Sequence, residues 1–291
     1  MPKLEGLLEW YEPRRGAYPW RATGTSPYGV LVSEVMLQQT QAPRVAPAFE
    51  RFMERFAMIG DLAAAPLGEV IRQWSGLGYN RRAVSLSRSA RTVVAEHAGR
   101  IPSDPGTLRR LPGVGPYTAA AVASMAFGLP VPAIDTNARR VLSRALLGAD
   151  PAEVSEAAIR DAAQDAIDRT DPGAWNQAVM DLGREVCRPA PRCAECPLVR
   201  ACRFADPPPP APRRAPTPRQ GFQGSSRQAR GAVIRMLSAG PRTLDGLISA
   251  TAISHDRVLA AVRALAKEGL VQAGPAALSG KARGLVRLPT S

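Results

Sequence analysis

The chain has 291 residues, 45% hydrophobic and 22% charged, with 38 Lys and Arg against 25 Asp and Glu, a net charge of +13. This length fits two domains or one domain plus a small module, and the composition is ordinary for a globular protein. It excludes a membrane-spanning helix, because no run of about 18 apolar residues occurs, and the N-terminal MPKLEGLLEWYEPRR lacks the apolar core of a secretory signal.

A cytoplasmic, nucleoid-associated protein is therefore expected. Residues 207–291 hold 13 Lys and Arg against three acids, Asp245, Asp256 and Glu268, whereas residues 1–206 are nearly balanced. Such a basic tail points to a polyanionic partner. His97 and His255 are the only histidines, and neither sits near another candidate ligand or nucleophile. Catalysis must then run on carboxylates, Tyr or Lys.

In chain order, apolar periodicity predicts helices over 30–39, 67–76, 82–97, 117–127, 137–147, 154–168 and 175–186, while alternating strand-like runs are nearly absent before residue 270. The first 205 residues read as all-α. Within the first of these helices, VLVSEVMLQQTQ places Glu34 among Val30, Leu31, Val35 and Leu37. Apolar neighbours raise a carboxyl's pKa and keep it partly protonated.

LPGVGPYTA, residues 111–119, closes a short helix, turns, and starts another with Pro116 in its first position. Gly113 and Gly115 permit φ > 0 and let another molecule approach the main chain. The amides of Gly113, Val114 and Gly115 then face outward beside Arg109 and Arg110, a helix-hairpin-helix arrangement able to hold a phosphate without reading sequence. Asp135, in PAIDTNARR, falls near a helix N-cap, where the helix start favours the ionised form. A partly neutral acid at 34 and an anion at 135 make the usual pair for glycosidic cleavage.

All four cysteines, Cys187, Cys193, Cys196 and Cys202, fall within 16 residues, spaced C-x5-C-x2-C-x5-C. In a cytosolic chain this points to a metal site rather than disulfides, with zinc and a [4Fe–4S] cluster both open. Residues 206–220 read as an extended linker, with seven prolines between 207 and 218. Beyond it, three short helices and a two-stranded wing suggest a basic winged-helix-like module over 221–291, touching nucleic acid or packed on the main domain.

PWR (19–21), SEVMLQQTQ (33–41), GLGY (76–79), LPGVGPYTA, DTN (135–137), WNQAVMDLG (175–183) and the cysteine cluster occur in this order. Together, over residues 5–205, they resemble the MutY-type adenine DNA glycosylases of the endonuclease III superfamily. The resemblance implies an all-α, two-lobed fold. A six-helix barrel lobe covers 23–134, and 1–22 joins 135–205 in a lobe that holds a [4Fe–4S] cluster on the four cysteines. It also implies a monomeric base-excision-repair hydrolase, without a membrane, acting on double-stranded DNA with one nucleotide flipped out.

By the same resemblance, Glu34 is the general acid toward adenine and Asp135 stabilises the sugar cation. Tyr117 hydrogen-bonds in the site, and Asn137 orders water or Asp135. Trp20, Arg21 and Gln177 belong to the adenine site, while Gln38, Gln39 and Tyr79 wedge into the base stack. Endonuclease III carries lysine where Tyr117 stands, so no Schiff base and no strong strand cleavage are expected. The chain departs from the pattern in a first cysteine gap of five residues rather than six, in Asn80 and Thr136, and in lacking the Nudix-like domain that reads 8-oxoguanine. The function expected is excision of adenine from A·8-oxoG or A·G pairs. The alternatives are a thymine or uracil mismatch glycosylase and a non-catalytic DNA-binding regulator.

Overall fold

In the computed structural model, residues 4–204 and 221–290 are described. The proline-rich stretch 206–220 lies outside them. Helices dominate, and the seven expected ones form as Pro27–Leu37, Leu67–Gln73, Arg81–Glu96, Pro116–Phe127, Thr136–Leu147, Glu156–Ala166 and Pro172–Glu185. The first stops two residues sooner than its apolar pattern suggests, because Gln39 takes φ +57°. Side-chain caps fix the later starts: Asp135 accepts from Ala138 N, Ser155 from Ala158 N and Asp171 from Ala174 N.

Two further helices, Ala42–Arg55 and Ile59–Ala64, were not expected from the pattern. Pro43 suits a helix start, but Pro47 stands inside the first of them and would ordinarily break it. Its apolar face offsets that loss, since Val45, Ala48, Phe49 and Phe52 are all buried.

Of the described residues, 4–35 and 101–204 form one compact unit, and 36–100 with 221–290 form the other. This division differs from the lobes expected from the sequence, because the C-terminal module shares a unit with residues 36–100. The core of the first unit is built from Leu7, Tyr11, Val141, Leu142, Trp175, Val179 and Leu182. The Pro172–Glu185 and Thr136–Leu147 helices approach closely at Gly183, where a Cβ would stand 2.7 Å from the Asn137 carbonyl oxygen.

In the second unit the C-terminal module has helices Ser226–Ser238, Leu244–Thr251 and His255–Lys267. Its sheet has three strands, β1 (Arg242–Thr243), β2 (Gln272–Ala273) and β3 (Leu285–Arg287), antiparallel in the order β1–β3–β2. The third strand beyond the expected pair is β1, too short to carry an alternating pattern. Ile71 and Val84 of the N-terminal segment share a core with Val233, Leu244, Val262 and Val286 of the module. The backbone of Gly68 donates to the Pro289 carbonyl at 2.9 Å. The module is packed on the Leu67–Gln73 helix.

Candidate active site

Glu34 sits on the Pro27–Leu37 helix with Val32, Val35 and Met36 buried around it, and is itself 5% exposed. Burial pushes its carboxyl up to about 7, against the Tyr117 hydrogen bond and the positive charge of Arg21, while the negative charge of Asp135 adds to the rise. Its Oε2 has no hydrogen-bond partner among the described residues. A buried carboxyl oxygen without a partner is costly, and it is retained where a ligand completes it. Tyr117, in the first turn of the Pro116–Phe127 helix, also lies 3.1 Å from Met180 Sδ through its hydroxyl. Burial holds that phenol well above its ordinary pKa, and the charge of Glu34 adds to the effect. Tyr117 is therefore a hydrogen-bond donor at every working pH.

Asp135 presents the opposite surroundings. One oxygen accepts from Ala138 N at 2.6 Å and the other from Asn137 Nδ2 at 3.1 Å. Asn137 Oδ1 in turn accepts from Arg140 Nη2, which also reaches the Gly183 carbonyl, while Arg140 Nε donates to the Cys187 carbonyl. The helix-cap position was expected to favour the anion outright. Burial outweighs the cap, and the pKa is raised despite the bonds from Ala138 and Asn137.

Trp20, Arg21 and Gln177 line one pocket of about 240 Å³, together with Val30, one helical turn before Glu34, and Met125. Trp20 stacks on Tyr18 with ring centroids 4.9 Å apart. Arg21 makes two bonds to Asp181, at 2.7 and 3.1 Å, with its side chain 9% exposed. Burial opposes its charge, but these bonds prevail and its pKa is raised. Gln177 Oε1 accepts from the buried Tyr11 hydroxyl, whose pKa burial pushes up to about 12. Arg21 and Gln177 are thus fixed by protein partners while still facing the pocket.

In the hairpin, Gly113 takes a positive φ, +81°. Gly115 does not: it caps the next helix at φ −86°, an ordinary extended conformation, with open space where a Cβ would stand. Val114 also departs from the outward-facing turn, because its side chain is buried and its N–H donates to the Leu111 carbonyl at 3.1 Å. It is the apolar anchor of the hairpin with Leu108 and Leu111.

Gln38, Gln39 and Tyr79 belong to the second unit. Gln39 and Tyr79 are exposed, and both take left-handed φ, +57° and +47°. That conformation is uncommon for residues with a Cβ and is strained for a bulky ring.

The four cysteines are free thiols, half-buried in one segment. Burial pushes Cys196 up to about 11 and raises Cys187 and Cys202; neighbouring thiols add to each rise. Arg144 Nη1 approaches Cys187 Sγ at 3.9 Å. Among the described residues, no three Cys, His, Asp or Glu side chains converge tightly enough for a single ion. A set of four thiolates suits either zinc or a [4Fe–4S] cluster.

Sequence reasoning passed over several residues of this site. Asn176 is buried, accepts from Ala133 N at 2.7 Å and donates to the Val131 carbonyl and Ser124 Oγ, fixing the stretch that leads into Asp135. Asp181 holds Arg21. Both lie inside WNQAVMDLG, where a polar residue recurring on a buried helix face was the available signal.

Residues 32–164 match the family described as "HhH-GPD superfamily base excision DNA repair protein". The adenine DNA glycosylase of Mycolicibacterium smegmatis is 39% identical over 275 residues, covering 91% of each chain. The human adenine DNA glycosylase is 43% identical over 209 residues, 68% of this chain and 38% of the human one. A solved thermostable thymine-DNA glycosylase superposes with a TM-score of 0.64 at 29% identity, covering 69% of this chain and 94% of that one. An endonuclease III–DNA covalent intermediate superposes with a TM-score of 0.58 at 26% identity, over 70% and 97%. The helix-hairpin-helix architecture, the Glu34–Tyr117–Asp135 group and these likenesses agree: the chain belongs to the adenine DNA glycosylase family.

Proposed function

We propose that the protein removes adenine mispaired with 8-oxoguanine or guanine in duplex DNA by hydrolysing its N-glycosidic bond. One observation carries this reading: Glu34 is a buried carboxyl near neutral pKa, with one oxygen unpartnered and the other side of the group served by Tyr117. Such an acid can protonate a base that is a poor leaving group.

As the glycosidic bond breaks, its electron pair goes to the base with the proton from Glu34. The sugar is left with positive charge, which ionised Asp135 stabilises. Water adds to that centre and its proton passes to the Glu34 carboxylate, restoring the acid. Asn137 orients Asp135, and Tyr117 holds Glu34. Trp20, Arg21 and Gln177 form the wall that receives the adenine. Gly113 and Gly115 offer backbone to a phosphate, and Gln38, Gln39 and Tyr79 enter the base stack. Tyr117 has no amine for a Schiff base, so the product is an abasic site in an unbroken strand.

Cys187, Cys193, Cys196 and Cys202 would hold a [4Fe–4S] cluster, which would supply structural order and charge near DNA rather than a step in the hydrolysis. Duplexes carrying A·8-oxoG, A·G, T·G or U·G, incubated with the protein and then treated with alkali, test the whole reading. Cleavage of the first two by wild type, lost in Glu34→Gln and Asp135→Asn, is expected. Cleavage of T·G or U·G alone would overturn adenine as the target, and tight binding with no cleavage anywhere would make the chain a binding protein.

A further inference from the structure

Two short segments of the second unit, 38–40 and 76–79, carry most of its backbone strain outside tight helix ends. Gly76 and Gly78 take φ +96° and +72°, and the non-glycines Gln39 and Tyr79 follow at +57° and +47°. A left-handed backbone is unfavourable for a residue with a Cβ, so something must hold each of them.

Arg82, at the start of the Arg81–Glu96 helix and 9% exposed, reaches both segments at once. Its Nη1 donates to the Met36 and Gln38 carbonyls at 2.7 and 2.5 Å. Its Nη2 donates to Thr40 Oγ1 at 3.0 Å and to the Gly78 carbonyl at 3.1 Å, with the Leu77 carbonyl at 3.5 Å. The guanidinium also lies over the Trp74 ring at 5.3 Å and the Tyr79 ring at 5.5 Å. Two lesser ties complete the join: Trp74 Nε1 donates to the Gly78 carbonyl and Thr40 Oγ1 to the Leu77 carbonyl.

We propose that Arg82 is a positioning residue for DNA engagement, a clamp whose planar donors lock segments 38–40 and 76–79 together so that Gln39 and Tyr79 are presented rigidly to the base stack. Carbonyl acceptors explain why arginine is used, because a lysine ammonium cannot span a fan of acceptors this wide. Burial lowers the guanidinium's pKa to about 10, still protonated at working pH, so the clamp stays closed. A pre-organised wedge spends less binding free energy on ordering and leaves more for unstacking the target base. The DNA part of this inference rests on the function proposed above; the clamp itself does not.

The test compares wild type with Arg82→Met and Arg82→Lys. Amide hydrogen exchange, read without DNA, is expected to speed up about tenfold or more at 38–40 and 76–80 in Arg82→Met, while the Ser226–Ser238 and His255–Lys267 helices keep wild-type protection. On an A·8-oxoG duplex with 2-aminopurine beside the target, the fluorescence rise from unstacking should vanish, and single-turnover excision should fall about a hundredfold. Affinity for undamaged duplex should change less than about threefold, since no phosphate contact is removed. Arg82→Lys should recover part of both signals, and it carries the test if Arg82→Met fails to fold. Unchanged protection and fluorescence in either variant would overturn the clamp, as would protection lost evenly over 36–100. Failure of wild type to excise adenine would instead overturn the functional reading, with the exchange result standing on its own.

Discussion

Glu34 and Asp135 are two carboxylates in one compact unit, both buried and both with raised pKa, yet their surroundings differ in kind. Around Glu34, Tyr117 is the hydrogen-bond partner and one oxygen meets no donor among the described residues. Around Asp135 both oxygens are met, one by backbone and one by Asn137. Burial moves both groups in the same direction, and donors decide how far each goes. The difference teaches that two buried carboxyls are told apart by counting hydrogen bonds, not by depth alone.

The largest test of that contrast is Glu34→Gln. Losing the acid should cut single-turnover excision about 10³-fold or more. The same variant should gain stability above neutral pH. The folded pKa of Glu34, about 7, lies above its ordinary 4.5, so the protonated form is favoured by folding and stability is lost as pH rises from 4.5 through 7. Glutamine removes that loss, which is worth roughly 3 kcal/mol by linkage. Denaturant melts at pH 5 and pH 8 read it, and a variant no more stable at pH 8 would erase the contrast.

Asp135→Asn comes next. Asparagine caps a helix as well as aspartate and carries no buried charge, so stability at neutral pH should hold or rise while excision falls about 10²–10³-fold. Equal loss of stability and rate would show the residue to be a cap alone. Gly183→Ala is smaller: its Cβ would press on Asn137 and displace the partner of Asp135, costing about 1–3 kcal/mol of stability with a rate loss near tenfold. The smallest effect belongs to Tyr117→Phe. Removing a hydrogen bond that lowers the pKa of Glu34 should move the alkaline limb of kcat/KM upward by about one pH unit. A limb that stays in place would separate Tyr117 from Glu34.

Much of this was legible in the sequence because it depends on local pattern. Helix starts at Asp135 and Pro116, the single charged residue at 34 in a mostly apolar run, and the clustered cysteines are all contiguous signals. What escaped was set by distant partners. That Arg21 is committed to Asp181, that Val114 turns inward while its amide closes on Leu111, and that Asp135 stays raised despite its cap all depend on tertiary burial. The resemblance assigned Gln38, Gln39 and Tyr79 to the base stack, but the guanidinium that bonds their backbone gave no sequence signal, since its acceptors are carbonyls that every residue carries.

The join between Gly68 and Pro289 has a consequence for how the molecule is made. A Cβ at Gly68 would lie 2.2 Å from the Pro289 carbonyl oxygen, so the helix and the far segment touch backbone to backbone. During translation, Ile71 and Val84 leave the ribosome some two hundred residues ahead of Val286 and Leu288, which cover them. At about 5–20 residues per second, that interval lasts on the order of ten seconds or longer. Until the C-terminal segment emerges, the apolar faces at Ile71 and Val84 lack the partners that bury them in the folded protein.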